Sequence, residues 1–313
     1  MEADFGEEWT DPFPADSVEE QAEAHDDRVL GVHDEGASRA TCCRRSPPPA
    51  AAAPSPWPVE RARDWQASRP WVVGCNFLPS TAVNDVELWQ RETSDPEAID
   101  RELGWAQGLG LNSVRVFVNY VVWQDDAAGL KQRFGQFLTI ADRHGLSVMP
   151  VLFDDCAFAG KEPHLGKQDA PVPGVHNSGW VPSPGLKRVT DRATWPSLER
   201  YLKDLVGTFG SDRRVVVWDL YNELGRPVLC TEWLHRQSSN TVVAILPLLA
   251  REHVGCYNWG LVAGRTQTFM PWGSNPGDPV PALWQHDLFY ADGTPFDPAE
   301  CDVFRACVAA AAK

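Results

Sequence analysis

No stretch of this sequence approaches the roughly 18 consecutive apolar residues that mark a membrane-spanning helix, so no membrane association is expected. The first residues, Met-Glu-Ala-Asp-Phe-Gly-Glu-Glu, have neither the positive start nor the apolar core of a secretory signal. The eight cysteines contain no C-x-x-C pair and no metal-type spacing. Small buried thiols are the expected reading, and a reducing, cytoplasmic setting follows by default. Positive charge is also scarce: 28 Lys and Arg stand against 43 Asp and Glu, a net charge of −15. No basic face argues for nucleic acid.

The negative charge is unevenly placed. Residues 1–36 hold thirteen acidic groups and one basic group, a net of −12, and the other 277 residues share −3. The low isoelectric point therefore describes one end of the chain and not a partner. Residues 1–60 read as a disordered tail, acidic first and then rich in Pro and Ala. Residues 61–313 read as the folded domain. An apolar fraction of 43% and 14 tryptophans are enough for a sizeable core.

Within that domain, strand and helix patterns alternate. Trp71 to Asn76 is a short apolar run ending in Asn. Ser94-Asp95-Pro96-Glu97 reads as a capping box, followed by Ile99, Leu103 and Ala106 at helical spacing, with Gly110 as the C-cap. Val114 to Val118 is a second strand. Leu130, Phe134, Phe137, Leu138 and Ala141 predict a helix ending at Gly145. Val148 to Phe153 is a third strand, with Asp154 and Asp155 as a loop cap. A long Pro- and Gly-rich loop covers roughly 156–193, a length usually reserved for function or disorder. Trp195, Leu198, Leu202, Leu205 and Phe209 predict the next helix.

Val215 to Leu220 is a fourth strand, apolar on nearly every position as a strand buried on both faces should be, and Asn222-Glu223 follow at its tip. A strand-like run from Pro227 to Thr231 ends in Glu232-Trp233. Residues 241–252 predict a helix, Gly255 to Trp259 a strand, and a last helix starts near Pro298. Such βα alternation predicts a parallel sheet. The strand tips carry Asn76, Asn119, Asp154, Glu223, Glu232 and Trp259, and in a barrel those tips share one mouth.

Asn222-Glu223 at one strand end, Thr231-Glu232-Trp233 at a later one, Arg115 within the second strand and Trp259 at the last occur in an ordered set. In this the chain resembles the cellulase-like retaining glycoside hydrolases, family 5 and its relatives, over about residues 70–313. The resemblance implies an α/β fold, a TIM-type (β/α)8 barrel. It implies hydrolysis of O-glycosidic bonds in a β-linked carbohydrate by two carboxyl groups about 5 to 5.5 Å apart, one protonating the leaving oxygen and the other forming a glycosyl-enzyme. Glu223 would be the acid/base and Glu232 the nucleophile. Asn76, Arg115, Asn222 and Trp259 would be substrate-binding: Asn222 on the 2-hydroxyl, Arg115 keeping the nucleophile ionised, Trp259 stacking under the sugar. No metal or organic cofactor is implied. Read without the resemblance, Arg115 could pair with a structural carboxylate, and Trp259 fits a core as well as a platform.

The chain departs from that pattern in one place. Only about six βα units are recognisable, and Leu224-Gly225-Arg226-Pro227 alone separates the runs that carry the two acids. Four extended residues reach at most about 14 Å, less than the 17 to 20 Å of a typical strand. A parallel crossover normally needs a dozen residues or more. The barrel is therefore expected to be incomplete, and an antiparallel hairpin would put Glu232 at the far end. Three readings stay open: a working retaining hydrolase, a catalytically dead relative that binds carbohydrate, and a product of exon skipping or of a misread gene. The shortened link predicts little turnover.

Overall fold

Five short strands, each parallel to its neighbours, form one sheet in the order β3-β2-β1-β5-β4. The computed structural model describes residues 58–156, 160–220, 230–251 and 253–311, all within one compact unit. The tail expected over 1–60 lies almost wholly outside the described residues. The elements in chain order are α1 (Val59–Ala67), β1 (Val73–Asn76), α2 (Asp85–Trp89), α3 (Pro96–Gly108), β2 (Ser113–Phe117), α4 (Tyr120–Arg143), β3 (Ser147–Val151), α5 (Leu186–Thr190), α6 (Trp195–Phe209), β4 (Cys230–Trp233), α7 (Val242–Arg251), β5 (Cys256–Asn258) and α8 (Pro298–Ala311). Every residue of β1, β2 and β5 is buried, as a parallel sheet with both faces covered requires.

The helices bury the stripes that their periodicity predicts. Ile99, Leu103 and Ala106 of α3 are buried, as are Leu130, Phe134, Phe137, Leu138 and Ala141 of α4. Local chemistry sets the ends differently from expectation. The N-cap of α3 is Asp95, whose carboxylate accepts from the Ala98 N–H at 3.0 Å. Ser94 does not fill that role, because Pro96 takes the first helical position and pre-sets it. Helix α4 begins ten residues earlier than its apolar spacing suggests, at Tyr120. Asn119 caps it, accepting from the Val121 N–H at 3.1 Å. A polar strand tip is thus also a helix start. In α6, Leu198, Leu205 and Phe209 are buried and Trp195 is exposed. The expected loop over 156–193 contains the one-turn helix α5.

The predicted strand over 215–220 is irregular. It meets β3 at two isolated parallel bridges, Val148 with Val215 and Val151 with Asp219. Between these bridges two residues of β3 face three on the other stretch, so one residue bulges. Pro150 lies inside that interval and has no N–H to donate. Its carbonyl still accepts from Asp219, and the ladder resumes after the break. The lateral order is therefore the 215–220 stretch, then β3, β2, β1, β5 and β4.

Strand β4 runs parallel to β5, so the antiparallel hairpin expected as one alternative does not occur. Glu232 and Trp233 lie within β4 rather than beyond it. Asn222, Glu223 and the link 221–229 lie outside the described residues.

Candidate active site

The Arg115 side chain is fully buried at the centre of the sheet. Its guanidinium donates from Nη2 and Nε to Asp219 Oδ2 at 2.7 and 3.1 Å. From Nη1 it donates to Glu232 Oε1 at 2.9 Å and to Asn76 Oδ1 at 2.8 Å. Asp219 and Glu232 belong to the two lateral ends of the sheet. At about 4.8 Å per strand, those ends would stand roughly 24 Å apart in a flat sheet. One guanidinium holds both carboxylates, so the sheet is curled and its ends approach each other at the mouth.

Asn76 is fixed within this arrangement. Its amide donates to the Thr231 and Asn258 carbonyls at 2.9 and 3.3 Å while its oxygen accepts from Arg115. It is 4% exposed and faces a small side chamber, not the main cleft. Glu232 is the open member, with 39% of its side chain exposed against 14% for Asp219.

A cleft of about 720 Å³ stands over Glu232, within the usual range for a small-molecule site. Phe117, Trp180 and Trp259 form one side of it, packed edge to face with centroids 5.1 to 6.2 Å apart. Trp180 is fastened from below, its indole N–H donating to Asp154 Oδ2 at 2.8 Å. Asp154 also accepts from the Cys156 N–H, so the expected loop cap additionally aims an aromatic ring. Trp259 is half-buried and lines both the cleft and the chamber. It is a lining ring with a packed edge.

Three histidines missed in the sequence face the same cleft: His176, His235 and His286. His235 lies against the exposed Trp272, with centroids 4.5 Å apart. His176 donates from Nδ1 to the Met270 carbonyl at 2.7 Å, and His286 bonds the Leu234 carbonyl. They lie far apart in sequence with no shared motif, which gave them no common signal. Asp219 did carry a signal, a lone acid inside the apolar run Val215 to Leu220.

Burial displaces four titrations around the mouth. It raises Asp85 to about 8, against the lowering hydrogen bond from Asn119 and with Asp154 adding to the rise. It raises Asp287 to about 7, against Thr268 and Arg236. It lowers His176 to about 4 and His286 to about 3. The raised carboxyls contribute stability that is fully present below the unfolded value near 4 and lost as pH rises to their folded values. The depressed imidazoles contribute stability present above about 6.5 and lost as pH falls. The two trends oppose each other between about pH 4 and 6.5, and only the carboxyls act from about 6.5 to 8. The melting temperature is expected to fall across that upper interval, and Asp85→Asn to flatten the fall. A wild-type melting curve level from pH 6.5 to 8 would refute this.

No protein-family model matches this chain, and no curated protein matches it. Solved structures do. The exo-beta-1,4-mannosidase Op5Man5 from Opitutaceae bacterium strain TAV5 is 21% identical, over 49% of this chain and 25% of its own, with a TM-score of 0.36. GH5_18 from Streptomyces cattleya in complex with Manb1-4GlcNAc is 13% identical, over 76% of this chain and 80% of its own, at 0.47. The endo-beta-1,4-mannanase from Thermotoga petrophila is 14% identical, over 63% and 43%, at 0.30. This chain thus spans a quarter of the Opitutaceae protein. Each likeness is partial, and the α/β assignment rests on the sheet's own parallel pairing and on the curl that brings its two ends to Arg115.

Proposed function

We propose that the mouth of the sheet is a retaining β-glycoside hydrolase site. Glu232 is the nucleophile, Glu223 the acid/base, Asn222 the partner of the sugar 2-hydroxyl and Trp259 the floor under the sugar. The observation that carries this is the Arg115 fork. A buried guanidinium grips one shielded acid, Asp219, and one open acid, Glu232, beneath an aromatic-lined cleft. Partial hydration of one carboxylate would suit a structural ion pair as well, since it lowers the desolvation cost; what favours a nucleophile is that the open face of Glu232 lines the aromatic cleft. Asp219 satisfies the arginine, and Glu232 is left able to react.

The attack is a displacement at the anomeric carbon. A carboxylate oxygen of Glu232 forms the new C–O bond, the bond to the leaving oxygen breaks, and the acid partner gives that oxygen its proton. Water then attacks the same carbon, and Glu232 departs as a carboxylate. Arg115 holds one oxygen of Glu232 in place throughout, which fixes the direction of the other.

A 2,4-dinitrophenyl 2-deoxy-2-fluoro-β-glycoside, in gluco and manno forms, tests this without depending on turnover rate. Glu232 should carry one fluoroglycosyl group by peptide mass analysis. Reversible binding of oligosaccharide with no ester would favour the binding-only reading instead. One observation speaks for that second reading: among the described residues, no strand pairs with β4 on the side away from β5.

A further inference from the structure

Strand β4 leaves the sheet through a strained residue. Leu234 is buried and held at φ +81, a conformation that bulky side chains rarely adopt. Its neighbours hold it there. The Leu234 N–H donates to Asn240 Oδ1 at 3.4 Å, its carbonyl accepts from His286 Nδ1, and the His235 N–H donates to the Asn240 carbonyl at 2.9 Å. Strain of this kind persists only where the surrounding structure over-determines the backbone. The next residue, His235, lies three residues beyond Glu232 and lines the same cleft.

Trp272 rests on that imidazole, with centroids 4.5 Å apart and the rings 35° from parallel. It takes the second position of the turn 271–274. The Ser274 N–H closes the turn by donating to the Pro271 carbonyl at 3.2 Å, and Gly273, at φ +77, fills the third position, where a type II turn needs a positive φ. Two further bonds fix the turn. The Trp272 N–H donates to Oε1 of the fully buried Gln285 at 2.8 Å, and Ser274 Oγ accepts from the His176 N–H at 2.9 Å. The Trp272 side chain is nevertheless 63% exposed. Single exposed apolar residues are common on any surface. What sets Trp272 apart is that it is anchored on both sides, seated on a second ring and part of the cleft lining.

Its place relative to Trp259 follows from the chain. The Trp259 N–H donates to the Trp233 carbonyl at 2.8 Å, whereas Trp272 rests on His235. The two tryptophans are thus attached to points two residues apart on the segment that carries Glu232, a path of at most about 7 Å.

From this we infer that Trp272, seated on His235, is a second sugar platform, and that the cleft prefers a β-linked glycan of two or more sugars over a single glycoside. The inference rests on the function proposed above, which makes the cleft a carbohydrate site. One sugar lies on Trp259 beside Glu232, and a neighbouring sugar lays the apolar face of its ring on Trp272. Because the indole is already fixed, little of its own freedom is lost on binding.

The test is calorimetry on the full chain carrying Glu232→Gln, which removes turnover. The probes are the methyl β-glycosides and the β-1,4-linked di- and trisaccharides of mannose and of glucose. In at least one series the longer sugars are expected to bind about tenfold more tightly than the methyl glycoside. Adding Trp272→Ala should remove that gain, and Trp272→Tyr, which keeps an aromatic face, should retain part of it. No gain with length in either series, or a gain that survives Trp272→Ala, would overturn the second platform and leave the labelling of Glu232 to decide the glycosidase reading. A gain that depends on Trp272 in a protein that the fluoroglycosides fail to label would overturn the glycosidase reading and leave the platform standing.

Discussion

Arg115→Met is expected to lower the melting temperature by roughly 6 to 12 °C and to blunt the cooperativity of unfolding. Removing one partner of a buried ion pair costs about 3 to 5 kcal/mol, because the charge left behind stays buried. Here the lower end applies, since Glu232 is 39% exposed and can hydrate once released. Asp219 is far less exposed and loses both of its bonds to the guanidinium. About 3 kcal/mol in a domain of this size corresponds to about 2 to 4 °C for each kcal/mol. Arg115→Lys should rescue little. A single ammonium cannot reproduce a planar fork that serves Asp219, Glu232 and Asn76 from different edges.

The double variant Arg115→Met with Asp219→Asn separates charge from packing. If the loss comes from a carboxylate deprived of its two bonds to the guanidinium, the double variant should be more stable than Arg115→Met alone. If the two losses simply add, Arg115 contributes by its volume in the core and not by holding the sheet ends. Urea unfolding followed by tryptophan fluorescence reads both outcomes.

Much of the architecture was legible because parallel βα units have strong local signals. The apolar runs at β1, β2, β3 and β5 and the stripes of α3, α4 and α6 lie where their spacing places them. What misled was local and polar. Asn119 stood among the polar strand tips and is also the cap of α4, since Asn serves equally well at a helix start. Asn76, expected as a substrate contact, also orients Arg115 and ties β4 to β1. Pro150 gave no warning that the next strand would pair through a bulge. The distance argument from the short 224–227 link left an antiparallel β4 open. Parallel pairing of β4 with β5 decides that point, a long-range contact that no periodicity encodes. The histidines and Trp272 were invisible as a group because loop packing alone gathers them.

Glu232→Gln is expected to abolish fluoroglycoside labelling and to reduce turnover of any activated β-glycoside by roughly 10⁴-fold or more, the scale seen when one member of a catalytic unit is removed. Its effect on stability should be small, because an open ion pair with 39% of one side chain exposed contributes about 1 kcal/mol or less. The glutamine keeps an oxygen that can accept from Arg115 Nη1, so the fork stays seated on Asp219 and Asn76. That separation distinguishes a nucleophile from a counter-ion. If Glu232 merely balanced Arg115, Glu232→Gln would lower the melting temperature as Arg115→Met does, and any residual turnover would track the folded fraction. The shorter variant Glu232→Ala adds a stereochemical check. Azide entering the space left by the carboxylate attacks the anomeric carbon from the face that Glu232 would have used, and a β-glycoside then yields an α-glycosyl azide. The same rescue in Glu223→Ala proceeds through the glycosyl ester on Glu232 and yields the β-azide. A β-azide from Glu232→Ala would exchange the two roles, while full activity in Glu232→Gln would remove Glu232 from the chemistry and leave Arg115 with two purely structural partners.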